Sequence, residues 1–166
     1  MDEAALAAPG APADEATQEA RRGWYAVLAK ASLAELDAVW DALAEKPDYR
    51  TLRHSETGLV MVRGRIGGTG AAFNLGEMTM TRAAIQVIDA AGNVTYTGFG
   101  YVAGRAKRHA QLVALFDALL QDPVRHGALA ASVVVPLAER QAAMKAVRAA
   151  AVMASKLDFF TMVRGE

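Results

Sequence analysis

Two strand-forming apolar runs with a glycine cluster between them occupy the middle of this chain, and they leave it few folds to choose from. From Leu59 to Ile66 the residues alternate, placing Leu59, Met61, Arg63 and Arg65 on one face. Gly67, Gly68 and Gly70 then interrupt the run, supplying positive φ and close backbone approach. After Phe73 to Glu77 a second run extends from Met78 to Ile88. The pattern predicts an antiparallel hairpin with a glycine-rich tip and arginines standing on its faces.

Such a tip offers a place for an anion. Free amides of Gly67, Gly68 and Gly70 can form a nest, and Arg63, Arg65 and Arg82 can supply guanidinium forks for phosphate or carboxylate. The same pattern also fits glycines that only turn the chain and arginines on a solvated face. It is not a Walker loop, because it lacks the terminal G-K-[ST] and leads into a strand rather than a helix.

The flanking sequence predicts helices on either side of this centre. Residues 1–16 are rich in alanine and proline without a periodic apolar face, and read as a disordered leader ahead of one domain spanning 17–166. A helix is predicted from Thr17, with Trp24, Val27 and Leu28 at helical spacing. Ser32 and Glu35 match a capping box opening a second helix through Ala44, with Leu36, Val39, Trp40 and Leu43 as its stripe and Pro47 as its stop. Both tryptophans are predicted core residues. A short strand over Tyr49–His54 is predicted to lead into the hairpin, with His54 a structural or solvent-facing residue at its end.

Beyond the hairpin, residues 89–93 read as a turn and Val94–Val102 as a third strand. Gly98 and Gly100 share one face of it, which opens the backbone there to a closely packed helix or another chain. A helix follows from Gly104 to Gln121, then a loop at 122–126 carrying a solvated His126. Ala130–Val135 reads as a fourth strand. Pro136 opens a closing helix to Leu157 with Met144, Val147, Ala151 and Val152 as a thin stripe. The fold class is therefore α+β: an antiparallel sheet of about four strands, packed by helices from the N- and C-terminal thirds.

Composition narrows the function by exclusion. Across 166 residues, 18 basic and 18 acidic side chains balance to zero, unlike the basic excess of a nucleic-acid binder. Without cysteine there is no thiol nucleophile or cysteine metal site, and three scattered histidines do not build a zinc site. The acidic start is unlike a signal peptide, and no run approaches the ~18 apolar residues of a membrane helix. The address this predicts is cytoplasmic.

The remaining chemical signal is the segment Arg105, Lys107, Arg108 and His109 at a helix start. Ala106, His109, Ala110, Val113, Phe116 and Leu120 fall on one stripe, so His109 begins on the buried face and fits a satisfied core histidine. It also fits a site: cations beside an imidazole near a helix N-terminus would bind a phosphate-bearing group and leave a neutral histidine as general base. No nucleophile–base pair and no paired carboxylates stand out, which counts against a self-sufficient enzyme.

Several segments, taken in order, carry a resemblance. Glu56–Val60, Arg65–Gly70, Leu75–Glu77, Thr81–Ala84, Gly104–Ala110 and Asp158–Gly165 together resemble the PhnG family over roughly Gln18 to Glu166. That family is a subunit of the bacterial carbon–phosphorus lyase system. Its members often carry an acidic residue where this chain has Ala106. The resemblance implies an obligate hetero-oligomer with PhnI-, PhnH-, PhnJ- and PhnL-type subunits. It implies a role in making α-D-ribose 1-methylphosphonate 5-triphosphate, where an alkylphosphonate displaces adenine from ATP. ATP and alkylphosphonate are then substrates of the complex, with no cofactor bound by this chain alone and the main catalysis on a partner.

On that reading Arg105, Arg108 and His109, with Arg63, Arg65 and Arg82, face anionic substrate or a neighbouring subunit. Phe159, Phe160, Met162 and Arg164 either fold back on the chain's own core or form a partner interface, since apolar side chains at a chain end fray unless something covers them. A purely architectural subunit and a free-standing anion- or nucleotide-binding module are the alternatives.

Overall fold

The computed structural model describes residues 15–155. The order is α1 (Glu15–Leu28), α2 (Leu33–Ala42), β1 (Tyr49–Arg65), β2 (Ala72–Ile88), β3 (Val94–Ala103), α3 (Lys107–Leu120), α4 (Pro123–Leu129) and α5 (Val135–Ala154). Helix α1 begins at Glu15, two residues inside the predicted leader; the rest of that leader lies outside the described residues. No helix among the described residues is long and apolar enough to cross a membrane.

The α+β prediction holds, with three strands among the described residues, in antiparallel order β1-β2-β3, rather than about four. The difference is Ala130–Val135. It forms a π-helical turn (Ala130–Val134) running into α5, not a strand. Three consecutive valines favour a strand locally, but Leu129, Val133 and Leu137 recur every fourth residue and are all buried, so helical packing wins. The segment expected as a loop at 122–126 starts α4 instead, with the Asp122 side chain accepting from the Val124 amide and Pro123 in the first turn. His126 is accordingly half-buried, its Nδ1 2.7 Å from the Leu120 carbonyl and its ring edge-on to Trp24.

The hairpin is longer than the two predicted runs. Tyr49–His54 is continuous with β1, and Phe73–Glu77 belongs to β2, so each strand has 17 residues. The connection is a tight 3-10 turn, Ile66–Gly68, in which Gly67 (φ 60°) and Gly68 (φ 80°) take the left-handed conformation. Beyond Met80 the hairpin is two strands wide, because β3 pairs with β2 only from Met80 to Ile88.

Helix α3 lies across the sheet, and α1 and α2 pack on α3. From Leu112 to Leu120 every residue of α3 is buried, as befits a helix covered on all sides. Its closeness to β3 depends on Gly98 and Gly100: a Cβ on either would overlap a carbonyl oxygen of α3, of Ala114 and Ala110 respectively. Trp24 and Trp40 both lie in the core, and Trp40 meets Phe116 edge-to-face at 6.2 Å. The Ser32–Glu35 capping box is present in full at the start of α2.

Helix α5 is anchored at its beginning. Gln141 donates to the Val27 carbonyl, and Arg140 pairs with Glu35. From Ala142 onward every described residue is exposed, so the stripe of Met144, Val147, Ala151 and Val152 covers nothing within the described chain. The helix ends at Ala154, and the predicted interface residues Phe159, Phe160, Met162 and Arg164 lie outside the described residues.

Candidate functional site

Where α3 starts beside β1, the sequence has placed two unusual local structures. Strand β1 breaks register with β2 twice within six residues, between Thr51 and Arg53 and between Arg53 and Glu56. Each irregularity bends the strand and re-aims side chains, a device common beside functional sites. Opposite it, α3 starts with no side-chain cap from Ala106 and no acid in its first turn, which instead carries Lys107 and Arg108. Cations at a helix N-terminus oppose the helix dipole, so this end is electropositive twice over.

Between them lies a groove of about 500 Å³, lined by Thr51, Arg53, His54 and Ser55 from β1, Ala83 and Ile85 from β2, and Lys107, Arg108 and Gln111 from α3. Its cations are not equally available. Arg108 Nε donates to Asp37 of α2 at 3.0 Å, and Arg53 Nη1 donates to Glu56 at 2.7 Å. Lys107 and His54 make no ion pair among the described residues. The groove therefore keeps net positive charge with hydroxyl and amide donors around it, which suits a phosphate- or phosphonate-bearing ligand.

A second residue set fixes the loop that delivers α3. Thr81 is fully buried; its hydroxyl donates to the Gly104 carbonyl at 2.6 Å and accepts from the Ala106 amide at 3.1 Å. Its single proton is thereby used, so at the 3.1 Å contact with Thr57 the Thr57 hydroxyl is the donor. Thr81 thus ties both strands of the hairpin to the residues before Lys107.

The predicted site residues separate into three places. Arg108 lines the groove. Arg105 is exposed in the loop before α3 and is not part of the groove lining. His109, the predicted general base, is held away from the groove in the core: it is 7% exposed, with Nε2 3.1 Å from the Leu28 carbonyl. A carbonyl only accepts, so Nε2 carries the proton and His109 caps the C-terminus of α1, as Gln141 does at Val27.

At the hairpin tip the structure does bring Arg63, Arg65 and Gly68 together, around a hollow of about 440 Å³. Part of that forks inward, because Arg65 Nη1 donates to the Gly70 carbonyl at 2.9 Å. Arg82 is not with them. It sits near the groove end of the hairpin but on the opposite face from groove-lining Ala83, with Nε 2.7 Å from Glu56. Strand rise puts the tip on the order of 30 Å from the groove. Glu56, held by Arg53 and then Arg82, has its carboxyl below the usual glutamate range.

Lys107 belongs to the cationic segment that the sequence marks out, whereas Arg53, His54 and Gln111 carry no such signal in the sequence. The register breaks that set Arg53 and His54 are not visible in the alternation of β1, and Gln111 comes beside them only through the packing of α3.

With the geometry in place, two comparisons bear on the chain. The sequence profile of the family described as "Phosphonate metabolism protein PhnG" matches residues 19–165. A relative from Rhizobium meliloti (strain 1021), "Alpha-D-ribose 1-methylphosphonate 5-triphosphate synthase subunit PhnG", is 44% identical over 153 residues, covering 92% of this chain and 94% of that protein.

Proposed function

The chain belongs to the PhnG family, and from that membership we propose that it is a subunit of an α-D-ribose 1-methylphosphonate 5-triphosphate synthase in phosphonate metabolism. In the complex, with subunits of the PhnI, PhnH, PhnJ and PhnL types, it completes a site whose main catalysis is on a partner. The reaction is displacement of adenine from the ribose of ATP by an alkylphosphonate. That reaction gathers a triphosphate and a phosphonate at one place, and these charges must be held without hydrolysis.

The observation that carries the site reading is the groove between β1 and α3, in which Lys107 and His54 make no ion pair among the described residues. Lys107 and Arg108 hold an anionic group at the electropositive start of α3, while Arg53 and Gln111 fix its orientation. His109 supports the site from behind by holding α1 on α3, and does not itself meet substrate. Adenine release from ATP and methylphosphonate, measured on the complete set of subunits, tests this. Lys107→Ala and His54→Ala are expected to lower release with assembly size unchanged. Full activity in both, with loss only when the subunit is omitted, would make the chain a scaffold.

A further inference from the structure

We propose that the outer edge of β1 from Glu56 to Val62 accepts an extended, acidic segment of another synthase subunit as a fourth strand of the sheet. This rests on the subunit reading above. Strand β1 is an edge of the sheet, and its other side has no strand partner among the described residues. From Glu56 to Val62 its pairing with β2 runs for seven residues without a register shift, the length of an ordinary strand. About half the backbone amides and carbonyls there point outward, ready to continue the ladder.

Within the stretch only Glu56 is charged, and the proline, lysine and bulges that usually blunt an edge are absent from it. Strand β1 contains neither proline nor lysine, and its bulges lie before Glu56 and after Val62. Within it Leu59 is 64% exposed and Met61 51% exposed, apolar surface that an added strand's side chains would cover.

Charge identifies the occupant. Four arginines, Arg50, Arg53, Arg63 and Arg65, stand in β1 against one acid, Glu56; with Arg53 paired to Glu56, Arg50 at one end and Arg63 and Arg65 at the other leave positive charge beside both ends of the uninterrupted ladder. A second copy of this chain is disfavoured. Antiparallel pairing would bring Arg50 and Arg53 against Arg63 and Arg65, and parallel pairing in register would set each arginine beside its own copy. A strand with acidic residues near its ends meets opposite charge at both.

Amide hydrogen exchange tests this on the chain alone and in the assembly with the other subunits of its synthase. Peptides covering 56–62 are expected to exchange at least tenfold more slowly in the assembly. The double variant Arg63→Glu/Arg65→Glu is expected to weaken assembly at least tenfold while β2–β3 exchange stays unchanged. An assembled complex in which 56–62 exchanges as in the free chain would overturn the inference and leave the subunit reading standing. So would the same protection in the isolated chain through self-association. A chain that joins no such assembly would overturn the subunit reading, and this inference with it.

Discussion

Arg21 of α1 grips the wholly buried Asp117 of α3 through both carboxylate oxygens, Nε to Oδ1 at 2.9 Å and Nη2 to Oδ2 at 2.5 Å. Asp117 also accepts from Trp24 Nε1 at 3.2 Å and from the Phe99 amide at 2.9 Å. One carboxylate therefore joins α1 and α3 to the Phe99 amide of β3.

Removing this carboxylate leaves Arg21 with an uncompensated, partly buried charge, and two N–H donors without an acceptor. Asp117→Ala is expected to lower stability by about 3 kcal/mol, read from urea unfolding of the variant and the parent. A loss under ~1 kcal/mol would mean water replaces the carboxylate freely.

Gly100 and Gly58 make a matched pair of substitutions. A Cβ at Gly100 meets the backbone of Ala110, which cannot move without shifting α3, whereas nothing lies within 4 Å of one at Gly58. Gly100→Ala should cost about 3 kcal/mol or prevent folding, and Gly58→Ala should stay within ~0.5 kcal/mol. Thermal unfolding of both decides it, and equal effects would contradict the close approach of α3 to β3.

What could be read from the sequence was largely what short spacing encodes. The glycine turn at Gly67 and Gly68, the Ser32–Glu35 box and the shared face of Gly98 and Gly100 are local patterns, and each has its predicted role. His109 was correctly placed on a buried stripe, but its Leu28 acceptor lies 81 residues away, and spacing gives no access to that. The groove was hidden for the same reason, since its Arg53 and Lys107 belong to elements separated by two strands. Val133 to Val135 misled because three β-branched residues outweigh a stripe whose other members, Leu129 and Leu137, sit outside the run.

The Arg53–Glu56–Arg82 bridge gives a pH-dependent signature. Both arginines favour the charged carboxylate, Arg53 most, so the folded-state pKa of Glu56 lies below its ordinary 4.5. A depressed acid contributes above the ordinary value, and the contribution fades as pH falls through the folded one. Arg82→Gln should therefore move Glu56 up toward 4.5, followed by NMR titration of its side-chain carboxyl. An unchanged titration would show that the 2.7 Å contact to Arg82 does not persist in solution.

In the groove, Lys107 has no ion-pair partner among the described residues. A charge-assisted contact to phosphate contributes about 1.5–3 kcal/mol, so Lys107→Ala should raise the KM for ATP or phosphonate roughly tenfold to a hundredfold in the assembled synthase. Arg108→Ala should do less, because Arg108 already shares its charge with Asp37. The reverse order would place the ligand on the α2 side of the groove.

Thr81 separates positioning from binding. Its hydroxyl is out of contact with solvent, yet it holds Gly104 and Ala106 and so sets where Lys107 begins. Thr81→Val keeps the shape and leaves a half-buried carbonyl and a half-buried amide without this partner, at a cost of about 1–3 kcal/mol. The loop is then free to move, and KM should rise with kcat little changed if its role is to place the groove cations. Thr81→Ser restores the hydroxyl and should restore KM, although it loses a methyl and some stability. A serine variant as impaired as the valine variant would assign the effect to packing of the methyl group, and the hydroxyl bridge would have no part in the site.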